Sequence, residues 1–221
     1  MTPYRPLWPL LLACAAGVSA CSRGGSAPPP APMPAPRVEA APAPVVVPPR
    51  DFGPRPDYRS PRDTAIADDD LDALWNRQLM VPVEGIVRPK IVDNFAAKRG
   101  AAIHGALDLM APRSTPVLAA DDCVIGRLVT GPVGGIVIYA TDPTERFVYY
   151  YAHLERYRRG LAVGDRVAKG SVIGYVGTTG NAPRTAPHLH FQVMKRAVGR
   201  AWWDGPSINP LPFFASDGVR P

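Results

Sequence analysis

The chain has 221 residues, enough for about one domain plus extensions. Its hydrophobic share of 46% is that of a globular protein, but its 28 prolines exceed what a packed domain uses, so part of the chain must lie outside any core. A formal charge of +6 and a pI near 9.5 suit a surface close to anionic polymers, with a merely soluble basic surface as the alternative; there is no dense Lys/Arg run, and the export signal described next argues against a nucleic-acid partner.

Residues 1–20 read as an export signal. Arg5 gives a positive start, and LWPLLLACAAGVSA is an apolar run ending in small residues, too short to span a membrane. Pro6 and Pro9 are unusual within such a run. It closes in Val18-Ser19-Ala20-Cys21, which resembles a bacterial lipobox and makes Cys21 the expected lipid-bearing N-terminus. The alternative is ordinary cleavage near Ala20 with an incidental cysteine. Cys14 falls in the signal, so Cys123 is the one thiol left for the mature domain and no intrachain disulfide can form there. Its setting, DDCVIGRLV, suits a buried small hydrophobe.

Residues 21–63 are rich in Pro and Ala, with SAPPPAPMPAP and APAPVVVPPR as examples. Such a segment cannot build a core and should be extended. At about 3.1 Å per residue, some forty residues reach on the order of 120 Å. The expected role is a spacer between a membrane and a domain. Residues 64–80 then carry a helix expected over 67–79. Asp68, Asp69 and Asp70 suit its N-terminal end, and Leu71, Leu74, Trp75 and Leu79 recur at helical spacing as a packing stripe.

From 81 to 215 the texture changes to short apolar or alternating runs punctuated by glycine. Strands are expected near 115–119, 124–130, 136–140, 147–152, 172–176 and 189–194. Turns fall at Gly131, Gly134-Gly135, Asp142-Pro143, Gly160, Gly164, Gly170, Gly177 and Gly180. The expected fold class is all-β, a compact antiparallel domain, followed by a tail at 216–221.

All four histidines of the chain lie in this domain. His104 and Asp108 are four apart, a spacing that shares a face on an extended segment and on a helix alike, so both could meet one ion. Imidazole nitrogen with carboxylate oxygen suits zinc. His188 and His190 are two apart, so on a strand they share a face while Leu189 and Phe191 take the other. Two imidazoles on a rigid strand make a platform for a metal or for proton transfer. His153 ends the aromatic run YYYAH, where a lone histidine is usually structural. The grouping is more informative than any member, because histidines without a role would scatter into the linker too. There is no H-E-x-x-H and no G-x-S-x-G, which sets aside the helical zinc protease and the serine hydrolase elbow.

Taken together the motifs resemble the LytM/lysostaphin-type zinc endopeptidases of bacterial cell walls. HGALD at 104–108 matches the family's H-x-x-x-D, YAHL at 151–154 its single-histidine motif, and PHLHF at 187–191 its H-x-H. APRSTPVLAA, the glycine-spaced run 160–181 and INPLPFF at 208–214 are similar to the segments between and after them. Ala106 and Cys123 stand where glycine is common in the family.

The resemblance implies a duplicated-hybrid-motif type of β fold with His104, Asp108 and His190 as zinc ligands and His153 and His188 as the catalytic pair. Three protein ligands leave a fourth position for water, the arrangement of a catalytic zinc. Zinc lowers the pKa of that water to about 7 and polarises a carbonyl. Without a glutamate in the motif, an unligated histidine must move the proton or steady the oxyanion. Tyr151, two residues before His153 on the strand, is a candidate for the substrate groove, with core packing as the alternative.

The implied activity is hydrolysis of peptide cross-links in peptidoglycan, of the D,D type in a Gram-negative envelope. The protein would be lipid-anchored, at the outer membrane facing the periplasm, with peptidoglycan stem peptides and other cell-wall enzymes as partners. The alternative is a LytM-type binding module that activates another wall hydrolase, as family members lacking ligands do. This chain keeps all five residues. A released protease acting on other bacteria is a third reading, which a lipidated Cys21 opposes.

Overall fold

A computed structural model describes residues 65–199 and 201–215. The expected export signal, lipid-bearing Cys21, tether and tail lie outside the described residues. No helix among the described residues is long and apolar enough to cross a membrane.

Helix α1, Asp68–Arg77, carries three aspartates in its first turn, where unpaired backbone N–H groups favour negative charge. Asp70 accepts a hydrogen bond from the Ala67 N–H at 2.9 Å. The same carboxylate, only 3% exposed, pairs with Arg146 and Lys195, so the acid that caps the helix also ties it to the sheet. Leu71 and Leu74 are buried against the core. The helix expected over 67–79 stops at Arg77. Gln78 turns left-handed with φ 47°, and Leu79 leaves the axis to bridge Phe214. Arg77 and Lys169 meet the buried Asp121, and Arg77 also meets buried Asp142.

Strands β1 (Lys98–Arg99) and β2 (Ala102–Ile103) form a small exposed hairpin. Nine further strands form one antiparallel sheet: β3 (Leu107–Met110), β4 (Pro116–Leu118), β5 (Cys123–Gly131), β6 (Gly135–Thr141), β7 (Phe147–Tyr157), β8 (Arg166–Val167), β9 (Val172–Val176), β10 (His188–Lys195) and β11 (Ser207–Ile208). The all-β antiparallel expectation holds. β3, the hairpin, β8 and β11 were not expected, because two to four residues give too little alternation to read.

The sheet runs β11-β10-β7-β6-β5-β8, with β3 on β10 and β9 on β7. β7 is the spine. One edge pairs with β6, and the other pairs first with β10 and then with β9. Leu189, Phe191 and Val193 of β10, Tyr149 and Tyr151 of β7, and Ile138 and Ala140 of β6 enter the core. Their alternating neighbours His190, Gln192, Tyr150 and Tyr139 stay half-buried on the other face. The core face thus holds the sheet together and leaves the opposite face for chemistry.

One irregularity decides how β7 ends. Ile138 faces Tyr151 and Ile136 faces Leu154, so β7 spends three residues where β6 spends two. The extra residue is a β-bulge, and His153 sits there with φ 60°. The bulge breaks the alternation, so Tyr151 and His153 do not share a face. Tyr151 is fully buried, packs on Phe191 at 5.1 Å and accepts the Ala120 N–H at 3.0 Å. Its proposed place in a substrate groove is therefore corrected: it is a core residue.

The bulge is braced from outside. The His153 N–H donates to Gly134 O at 2.8 Å, and the Ile136 N–H donates to Thr179 Oγ1 at 2.9 Å. Gly135 has φ 67°, and a Cβ there would lie 2.1 Å from Thr179 Oγ1 and 2.4 Å from the Thr179 carbonyl carbon. Only glycine fits that position. Gly135→Ala should lower stability by roughly 1–3 kcal/mol, read from urea unfolding. Wild-type stability in that variant would show that the close approach is not required.

Candidate metal centre

Asp108 lies on β3, and His188 and His190 lie on β10. The register pairs Asp108 with His190 and His190 with Ala152 of β7. Partners directly across a ladder share a face, so Asp108 and His190 meet on the face away from the core. His104 arrives differently. It precedes β3 in a turn whose Gly105 has φ 68°, so it joins Asp108 by a bend in the chain rather than by the shared face of a strand or helix.

His104 Nε2, Asp108 Oδ1 and His190 Nδ1 form a triangle with all three sides at 3.1 Å. A tetrahedral ion with bonds of about 2.0 Å needs donors about 3.3 Å apart, close to what the chain provides. The protons agree. His104 Nδ1 is 3.1 Å from Asn94 O, and a carbonyl only accepts, so that nitrogen carries the proton and Nε2 presents a lone pair. Asp108 is acceptor-only when ionised. Three electron-rich atoms with at most one shared proton are a fit for a cation.

Burial opposes ionisation of Asp108, but the hydrogen bond from His190 and the neighbouring imidazoles overcome it and hold the carboxyl below its usual range. Burial pushes His104 below the ordinary histidine value, which keeps it neutral and able to ligate. Asp108 Oδ2 is taken by Arg99 of β1, which leaves Oδ1 for the triangle. The Asp108 N–H donates to Asn94 Oδ1 at 3.1 Å. Asn94 therefore steadies two of the three corners, one with its backbone and one with its side chain.

His153 and His188 lie beside the triangle with ring centroids 4.9 Å apart, and His153 is 5.7 Å from His190. Both are buried. His153 Nδ1 donates to Thr179 O at 2.9 Å and His188 Nδ1 to Ala186 O at 2.8 Å, so both keep a basic Nε2. Burial lowers His153 from its ordinary value. His188 Nε2 lies 3.8 Å from Asp108 Oδ1. The structure thus gathers His104, Asp108, His190, His188 and His153, and it leaves out Tyr151. Cys123 is buried and its thiol is pushed up to about 12 by burial, so it is inert packing.

Asn94, Arg99, Thr179 and Tyr150 escaped the sequence reading. Tyr150, not Tyr151, faces the site, with its ring 5.8 Å from that of His190. The alternation of YYY could have pointed to it once the core phase of β7 was known. Nothing in the local sequence marks Asn94 or Thr179, whose work is done through backbone and loop contacts.

The description Peptidase family M23 matches residues 102–210. Peptidoglycan DD-endopeptidase ShyC of Vibrio cholerae is 27% identical over 146 residues, covering 61% of this chain and 33% of that protein. Glycyl-glycine endopeptidase ALE-1 of Staphylococcus capitis is 34% identical over 119 residues, covering 52% of this chain and 30% of that protein. The chain therefore spans about a third of the length of these curated relatives. Among solved structures, one described as lytM from Ruminococcus gnavus superposes with a TM-score of 0.52 at 28% identity, covering 64% of this chain and 61% of that one.

Calorimetric titration of metal-free protein with zinc should show one site. His190→Ala and Asp108→Asn should each weaken it by more than the roughly 10–100-fold that losing a hydrogen-bond partner of a ligand costs. Asn94→Ala should fall within that smaller range. Unchanged affinity in His190→Ala would remove it from the centre.

Proposed function

Because residues 102–210 match peptidase family M23, we propose that the protein is a zinc-dependent endopeptidase that cuts peptide cross-links of peptidoglycan. The observation that carries the reading is the 3.1 Å donor triangle with two unligated, lone-pair-bearing histidines beside it. A binding module would need neither half of that arrangement.

His104, Asp108 and His190 would hold the ion. Bound there, zinc would polarise the scissile carbonyl and make a water acidic enough to attack at neutral pH. The chain's own part is proton management. With Nδ1–H fixed on the Thr179 and Ala186 carbonyls, His153 and His188 can each accept a proton at Nε2. One imidazole takes the proton of the attacking water and can return it to the leaving amine. The other, once protonated at Nε2, steadies the developing oxyanion by donating that N–H to it. Burial lowers His153 from its ordinary value and so favours its neutral, proton-accepting form.

The relatives named above carry endopeptidase names, one for a DD bond in peptidoglycan and one for glycyl-glycine. The first supports a D,D cross-link as the substrate of this chain. The run ending Ser19-Ala20-Cys21 supports lipidation at Cys21, and the Pro/Ala-rich 21–63 supports a tether that lets the domain reach the wall from the outer membrane. Partners are then the stem peptides and, in the same compartment, other wall enzymes.

Purified peptidoglycan incubated with the zinc-loaded protein should release peptides with new amino ends, counted by chromatography. His188→Ala and His153→Ala should retain zinc and lose roughly 10²–10⁴-fold in rate. Zinc-loaded wild type that releases nothing would favour the activator reading. A second expected outcome concerns the anchor: Cys21→Ser should move the protein from the membrane pellet to the soluble fraction.

A further inference from the structure

The face of the sheet that carries the metal centre carries a second feature that the proposed chemistry does not use. Arg127 of β5 pairs with Tyr139 of β6, Tyr139 with Tyr150 of β7, and Tyr150 with Gln192 of β10. These four side chains form one row across four strands, two residues along β10 from His190. Three interstrand steps of about 4.8 Å make the row about 14 Å long.

The row is aromatic and continuous with the site. The His190 ring lies 5.8 Å from Tyr150, and Tyr150 lies 4.8 Å from Tyr139. Tyr139 is 6.5 Å from Trp202 and 6.3 Å from Trp203. The Arg127 guanidinium sits 4.2 Å over Trp203 and 5.8 Å over Tyr139, and that of Arg196 sits 5.8 Å over Trp202. Both tryptophans belong to the connection between β10 and β11. That connection is closed by bonds from the Ala197 N–H to Trp202 O at 3.1 Å and from the Lys195 N–H to Pro206 O at 3.0 Å.

Packing does not explain these residues. None of the four aromatic side chains belongs to the hydrophobic core or packs against it, and all are half-buried. Large rings left half-exposed on a sheet face beside a candidate metal centre mark a place where something binds. The strand beneath is shaped to seat them. At the irregular step of β5, Gly126 faces the Trp202 ring, where a Cβ would lie 2.5 Å from Cη2 and 2.9 Å from Cζ2.

The topology selects the occupant. β6 is flanked by β5 and β7, and β7 by β6 and β10, so the middle of the row, at Tyr139 and Tyr150 beside the metal centre, offers no free strand edge. A peptide that binds by adding a strand needs such an edge. A ligand lying across this face must be recognised by rings, hydroxyls and guanidinium groups alone. Hexopyranose units suit that: their C–H faces stack on aromatic rings, and their hydroxyls and acyl oxygens bond to tyrosine O–H and arginine N–H. We propose that Tyr150, Tyr139, Trp203 and Arg127, with Trp202 as their buttress, form a glycan subsite. It holds the sugar strand while the attached peptide reaches His190. This rests on the peptidoglycan reading above.

The test uses the full chain and a tetrasaccharide of β-1,4-linked N-acetylglucosamine, which carries no peptide. Tryptophan emission should shift on titration. Trp203→Ala, Arg127→Met and Gly126→Ala should each weaken binding at least tenfold, with circular dichroism confirming folding. Asp108→Asn should bind like wild type, which separates the subsite from the metal chemistry. On whole peptidoglycan Trp203→Ala should raise KM at least tenfold with kcat unchanged, and on a glycan-free cross-linked peptide dimer it should act like wild type. The proposal falls if wild type does not bind the tetrasaccharide, if the folded variants bind it normally, or if Trp203→Ala slows the dimer as much as the polymer. Binding with no cleavage of either substrate would instead overturn the hydrolase reading and leave the subsite standing.

Discussion

The register of β3, β10 and β7 is the constraint on which the rest of the molecule depends. Asp108 faces His190 and His190 faces Ala152 across two ladders, so two candidate metal ligands meet on one face with no loop to position them. The alternate residues Leu189, Phe191 and Val193 are fully buried on the other face. A slip of one residue would send imidazoles into the core and these three side chains into water. At about 1.5–3 kcal/mol for each buried side chain, that slip is excluded. The hydrophobic effect thus holds the candidate metal centre in register from behind.

A strict two-residue alternation could not have built the whole site. His153 must reach the same face as His190 from a strand whose Tyr149 and Tyr151 fill the core. The bulge adds one residue and changes the phase, at the cost of a left-handed backbone at His153. Gly134, Gly135 and Thr179 stabilise that conformation. Thr179 accepts the Ile136 N–H through Oγ1 and the His153 Nδ1–H through its carbonyl, so the bulge and the imidazole tautomer are set by the same residue.

Segments outside the sheet complete the centre. Asn94 and Arg99 hold His104 and Asp108 from the stretch before β3, which lies upstream of the family match at 102–210. Helix α1 closes the core at a distance from the site. Its charges, Asp70 and Arg77, are buried or half-buried and are paired with Arg146, Lys195, Asp121 and Asp142, so the helix docks by ion pairs as well as by leucines.

The sequence by itself determined the antiparallel all-β class, six of the nine strands of the large sheet to within a few residues, and the five histidine and aspartate positions that the fold brings together. Alternation, glycine punctuation and side-chain chemistry are local properties, readable wherever a strand is long enough to repeat. Only the tertiary structure decided that Tyr151 is core and Tyr150 faces the site, because strand parity has no origin until a bulge and a partner strand set it. It alone showed that His104 joins Asp108 through a glycine turn, and that Asn94, Arg99 and Thr179 support the ligands. Those contacts join residues from 5 to 43 positions apart, with no periodic mark in the sequence between them.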